Sequence, residues 1–191
     1  MLPAPFRLRW RRRLRRAGAL LLLVVLMIGA WTALPASLSD VSLIHVIDGD
    51  SLKIRHDGAV LDIRLRGIDA VEYRQDCGEP RDERRWACGR EARGTLERLS
   101  GRGPLRCDLG AKDRYGRTLA TCRSALAPEG VDLNAEMVRR GFAVASGDDY
   151  LMEQAEARAA RRGIWQGDFT PPAEWRVVHE RASDTAIAPD A

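Results

Sequence analysis

Asp48-Gly49-Asp50, Asp69 and Glu72 place four carboxylates in one short stretch of chain, with Arg64 among them. Arg117 follows at the end of Asp113-Arg114-Tyr115-Gly116-Arg117. Carboxylate oxygens are the ligands a hard divalent cation prefers. A guanidinium donates two parallel hydrogen bonds to a phosphodiester and offsets the charge that gathers on phosphorus. Such a set supplies what metal-assisted hydrolysis of a phosphodiester requires. Each motif alone is weak: Asp-Gly-Asp is also an ordinary turn, and an arginine on a strand is ordinarily a surface residue. His45, His56 and His179 form no motif with one another, which argues against histidine-based chemistry.

These residues need elements to hold them. Val41 to Ile47 reads as a strand, continued from Asp50 to Ile54 by the alternation of Leu52 and Ile54. Asp57-Gly58 is a two-residue hairpin signal, and Leu61, Ile63 and Leu65 alternate on the return strand. A strict hairpin there pairs Asp50 with Leu65 and turns Arg64 away from Asp50. A bulge or the twist of a barrel rim is therefore expected to bring the two side chains together. Val71 to Ala87 is polar and reads as a surface loop. Gly89 to Leu99 carries Ala92, Leu96 and Leu99 at helical spacing and is stopped by Gly101 to Pro104. Leu105 to Leu109 and Thr118 to Cys122 form a second hairpin. Leu133, Met137 and Val138 mark a helix ended by Gly141, and Tyr150 to Arg162 a third ended by Gly163. Strands first, with helices between and after, give an α+β pattern built on a small barrel.

The net charge of +4 conceals an uneven distribution. Residues 1–16 contain seven arginines and no acid, which leaves 24 basic against 27 acidic residues, a balance of −3, for the remainder. The body is not a polycation, so any grip on phosphate must come from local arginines. Residues 1–16 form a basic cytoplasmic segment, followed over 17–36 by an apolar run that serves as a transmembrane anchor or as a cleaved signal. Leu34-Pro35-Ala36 is a poor cleavage site. Cys77, Cys88, Cys107 and Cys122 all follow the apolar run, and an even number in an exported domain suggests disulfides. Cys107 and Cys122 flank the Asp113–Arg117 turn symmetrically, which places them across a hairpin. Cys77 and Cys88 would then close a short loop.

Ile47-Asp48-Gly49-Asp50-Ser51, Arg64-Leu65 running to Asp69 and Glu72, and Gly89-Arg90-Glu91-Ala92 together resemble the staphylococcal nuclease family. The resemblance continues through Asp113-Arg114-Tyr115-Gly116-Arg117, Val138-Arg139-Arg140-Gly141 and Gly163-Ile164-Trp165. It implies a five-stranded oligonucleotide/oligosaccharide-binding (OB-fold) β-barrel with three helices, here spanning 41–176; the polar composition of 177–191 reads separately as a disordered tail.

The resemblance also implies roles. Asp50 and Asp69 match the family's direct ligands to calcium, with the backbone carbonyl of Ala70 as a third and Asp48 just outside. Glu72 matches the glutamate near the attacking water. Arg64 and Arg117 match the arginines on the scissile phosphate, and Tyr115 matches a substrate-binding tyrosine. Val71 stands where the family usually has proline. Gly147 stands where a second tyrosine is expected, for which Tyr150 could substitute. The implied activity is Ca2+-dependent hydrolysis of DNA or RNA outside the cytoplasm by a monomer, leaving 3′-phosphate ends. The membrane is a partner if the N-terminal segment stays attached. The alternative is a non-catalytic nucleic-acid-binding module on the same barrel.

Overall fold

A computed structural model describes residues 17–25, 38–78, 84–125 and 130–187, the last eight as backbone only. Residues 1–37 and 38–191 form separate units. In the first, residues 17–25 are helical. Among the described residues no helix is long and apolar enough to cross a membrane. The basic segment 1–16 and most of the apolar run lie outside the described residues.

The second unit is a closed barrel. Its strands are β1 (Ser39–Val46), β2 (Ser51–His56), β3 (Ala59–Leu65), β7 (Leu105–Lys112) and β8 (Thr118–Ser124), joined in the order β1-β2-β3-β8-β7. β1 closes the circle by pairing with β7, and β3 runs parallel to β8. The Asp57-Gly58 turn takes φ of 47° and 79°, the left-handed pair that matches the twist of a tight hairpin. It sets the register from Ser51↔Arg64 to His56↔Ala59. Leu52, Ile54, Ile63, Leu65, Leu105 and Ala120 fill the interior, as alternation requires.

Outside the barrel, β4 (Ile68–Ala70) pairs with β9 (Ala143–Ala145), and β5 (Cys77–Gly78) with β6 (Arg85–Trp86). The expected helices are α1 (Cys88–Ser100), α2 (Leu133–Arg139) and α3 (Leu151–Ala159), and a 3₁₀ turn over Gly163–Gln166 follows. α1 buries Ala92, Leu96 and Leu99, and α2 buries Leu133, Met137 and Val138. Buried Asn134 bolts α2 to the barrel, donating to the carbonyls of Arg66 and Ala120 and accepting from Cys122 N.

Two expectations need correction. The polar composition after Trp175 suggested disorder, yet Pro172–Ile187 is a fourth helix, α4. Its Pro172 is buried at the first position, where a proline's missing N–H costs nothing. No bulge interrupts β2–β3 either; the irregularities lie in β1 between Leu43 and His45 and in β7 between Leu109 and Lys112.

Both expected disulfides are present. Cys107 and Cys122 face each other in register across β7–β8, and Cys77 joins Cys88 at the start of α1. The Cys107–Cys122 bridge closes 15 residues of chain. Replacing both with serine should lower unfolding free energy by about 3 kcal/mol, the loop-closure value for this length. Denaturant titration checks it, and a loss below about 0.5 kcal/mol would show that the bridge adds nothing to the ladder around it.

Candidate active site

The site lies where β2 begins, β3 ends and β4 follows. Asp50 sits in the bend before β2, 1% exposed, and its carbonyl accepts from Leu65 N at 2.8 Å. The expected pairing with Leu65 therefore holds, but Asp50 is outside the strand and alternation no longer dictates where its side chain points. Arg64 Nη1 donates to Asp50 Oδ1, and Arg64 Nη2 donates to Asp69 Oδ1 at 2.5 Å. The bend does what a bulge was expected to do.

The remaining bonds to Asp50 come from its neighbours. Ser51 Oγ donates to Oδ1 at 3.0 Å, and Ala70 N donates to Oδ2 at 2.7 Å. Asp48 Oδ1 accepts from Asp50 N at 3.0 Å, as an Asx turn does. Burial pushes the Asp50 carboxyl up to about 8, against the pull of Arg64, with Asp48 and Asp69 adding to the rise. Burial alone would lower the Arg64 pKa, but Asp50 and Asp69 outweigh it and hold the guanidinium charged. The two shifts are compatible because burial is the larger effect on Asp50 and outweighs the pull of Arg64, whereas at Arg64 the two acids outweigh burial.

Glu72 is placed by a loop held at both ends. Its N–H donates to Gln75 Oε1 at 3.1 Å, and its carbonyl accepts from Gln75 N at 2.8 Å. Gly89, at the start of α1, presses against this loop: a Cβ there would lie 1.8 Å from the Glu72 carbonyl oxygen. Only glycine permits that approach. Val71 N donates to the Phe142 carbonyl at 3.3 Å, a bond the proline usual at this position could not make.

Arg117 comes from the β7–β8 turn, where its Nε donates to Asp113 Oδ2 at 2.9 Å. Asp113 Oδ1 also accepts from the N–H groups of Tyr115 and Arg117, so one carboxylate shapes the whole turn. Tyr115 is 67% exposed, with the guanidiniums of Arg114 and Arg117 over its ring at 4.8 and 5.5 Å. Asp48, Arg64, Glu72, Arg114, Tyr115 and Arg117 line one open cleft of about 430 Å³. Tyr150 does not join them: it packs half-buried against the core, with its φ at 61°.

Two site residues escape the sequence reading. Gln75 is 1% exposed and clamps the Glu72 loop. Arg176, on α4, also lines the cleft. Its Nη1 and Nη2 donate to Asp69 Oδ1 and Oδ2 at 3.0 and 2.9 Å, and Nη1 also donates to Glu72 Oε1 at 2.7 Å. These bonds raise the Arg176 pKa further above its ordinary value. Nothing at residue 176 signals this role, because it stands more than 100 residues away from both partners.

A family model described as staphylococcal nuclease homologue matches residues 62–167. The chain is 33% identical over 159 residues to an uncharacterized endonuclease of Escherichia coli, covering 80% of this chain and 94% of that protein. It is 28% identical over 182 residues to the micrococcal nuclease of Shigella flexneri, covering 88% and 95%. It is also 34% identical over 126 residues to the succinoglycan biosynthesis protein ExoI of Rhizobium meliloti, covering 63% of this chain and 62% of that one. The chain thus spans less than two-thirds of the length of that last relative.

The raised Asp50 pKa carries a stability consequence whose sign is fixed. Between about 4 and 8 the folded protein retains a proton that the unfolded chain has released, so stability falls as pH rises through that window. Asp50→Asn removes the titration and keeps the shape. In chelator, the variant should show a flatter pH dependence of stability than wild type between about pH 4 and 8. Parallel profiles from denaturant titration at several pH values would show that Asp50 is ionised throughout.

Proposed function

The chain belongs to the staphylococcal nuclease family, and we propose that it is a calcium-dependent nuclease acting on DNA, RNA or both outside the cytoplasm. The observation that carries this is the meeting in one cleft of Asp48, Arg64, Glu72, Tyr115 and Arg117, drawn from four separate segments of chain. Two disulfides and the apolar run before the domain support an oxidising location beyond the membrane.

The donor set suits a hard cation. Asp50, Asp69 and the Ala70 carbonyl offer oxygen only, and Asp50 is a buried carboxyl short of positive charge. Among the described residues no three acidic, histidine or cysteine side chains gather into a metal cage. In the proposed site two carboxylates and a carbonyl would hold the ion with water completing its shell, as calcium accepts. When bound, the cation would polarise water and a phosphate oxygen.

The protein's own groups do the rest. Glu72, fixed by its loop and one-quarter exposed at the side chain, would orient the attacking water and receive its proton. Arg64 and Arg117 would donate to the phosphate oxygens on which charge develops. Departure of the 5′-oxygen then leaves a 3′-phosphate. Tyr115 offers an exposed ring on which a base can stack.

Digestion of single-stranded DNA and of RNA by the wild-type protein, with calcium and with chelator, tests the reading. We expect cutting with calcium alone, and products that carry 3′-phosphate. Binding without cutting would assign the chain to the non-catalytic modules of this fold.

A finer test separates catalysis from binding at Arg117. Arg117→Lys keeps the charge and loses the fork. Turnover should fall about 100-fold while KM changes little, the pattern of a donor that acts on developing charge. Arg140, paired with Glu136 on α2, should accept lysine without effect. Equal kinetics for the two variants would reduce Arg117 to a turn residue.

A further inference from the structure

Arg176 stands nine residues beyond the end of the family match, yet its guanidinium lies inside the cleft. The helix that carries it adds little to the core through its described side chains. Among these Pro172 is buried, Trp175 and Arg176 are half-buried, and Val177, Val178 and His179 are exposed. The segment leading into it is instead fastened to the Glu72 loop. Gln75 Nε2 donates to the Thr170 carbonyl at 2.6 Å, and Gly78 N donates to the Asp168 carbonyl at 2.7 Å. One buried amide thus holds the backbone of Glu72 through its oxygen and the approach to α4 through its nitrogen. Arg176 then holds the Glu72 side chain and that of Asp69.

We infer that Arg176 is a positioning residue for the reaction: it fixes the Asp69 and Glu72 carboxylates relative to each other and makes the C-terminal helix part of the active site. The physical need is plain. Asp69 and Glu72 are like charges brought together, and without a cation between them they repel. A planar guanidinium can bridge two carboxylates at set angles, which an ammonium cannot do. Arg64 and Arg176 together place three N–H bonds on Asp69, two on Oδ1 and one on Oδ2, against roughly four lone-pair directions on a carboxylate, so one direction on Oδ2 stays open.

The inference rests on the nuclease reading, and its test keeps the two apart. Wild type, Arg176→Gln and Arg176→Lys are compared on a single-stranded oligonucleotide with calcium, and calcium affinity is measured by calorimetry. Amide hydrogen exchange is followed in the metal-free proteins. For Arg176→Gln we expect kcat to fall about 100-fold, the cost of a misplaced reacting group, with KM within roughly threefold of wild type. Arg176→Lys should recover part of that loss. Exchange should quicken at the amides of Glu72 to Gln75 and stay unchanged in the barrel strands, which separates lost positioning from lost folding. A loss confined to KM would make Arg176 a substrate contact and overturn the inference. A gain in activity and calcium affinity would make α4 an inhibitory latch and overturn it equally. An inactive wild type defeats the nuclease reading and this inference with it. Active wild type with an equally active Arg176→Gln defeats this inference alone.

Discussion

A guanidinium shared between two carboxylates is the interaction on which the rest of this site depends. Arg64 bonds both Asp50 and Asp69, and neither acid is exposed enough to be solvated without it. Burying charge is costly, and removing one partner of such a set leaves an uncompensated ion. The barrel accepts the cost at its rim. It supplies the Ala70 N–H to Asp50 Oδ2 and the Ser51 hydroxyl to Oδ1, so the carboxylate is held even where its charge is not fully matched. The site is destabilised in its own right and stabilised by what surrounds it. That is the usual relation between a functional cluster and its scaffold.

The surroundings form a chain of constraints leading to Glu72. The Cys77–Cys88 bridge ties the loop after β4 to the first residue of α1. Gly89 lets that helix press against the Glu72 carbonyl, and Gln75 closes the loop from within. Val71 N–H adds a bond to Phe142 just after the β4–β9 pair. A carboxylate on a free loop would sample many positions. Here the backbone on either side of Glu72 is bonded to a different element, which is the preorganisation that its proposed role in orienting a water demands.

How much of this the sequence disclosed depends on the range of the interactions. The hairpin at Asp57-Gly58, the Cys107–Cys122 pairing and the three helices are local or nearly symmetric about a turn, and their residue types announce them. Asp50, Asp69, Glu72, Arg64 and Arg117 were legible as a chemical set, and the structure brings all five to one region. The orientation of Arg64 was not. Alternation is a rule for strands, and Asp50 stands one residue before one. Arg176 and Gln75 were not legible either, since a single arginine in an arginine-rich chain and a single glutamine in a polar loop carry no pattern. α4 was hidden for a related reason. Among its described side chains only Pro172 is buried, which gives no helical periodicity, and Arg176 ties the helix to Asp69 and Glu72 by salt bridges.

The charge distribution explains why so many arginines are already engaged. With 24 basic against 27 acidic residues after position 16, the domain has no general attraction for a polyanion. Selectivity for phosphate must arise where guanidiniums crowd, yet unpaired arginines at such density would repel one another and wander. Pairing solves both difficulties. Asp113 aims Arg117, Asp50 and Asp69 aim Arg64, and Asp69 with Glu72 aims Arg176. Each carboxylate fixes a fork in place before any ligand arrives. The bonds at Arg117 lie on a partly exposed pair, where solvent screening keeps their net worth small. A phosphate that draws two N–H donors at once can therefore compete for the partly exposed fork of Arg117. Arg64 lines the same cleft but is more buried and already shared by Asp50 and Asp69, so in the proposed reaction it would meet the phosphate from a position those two acids have fixed.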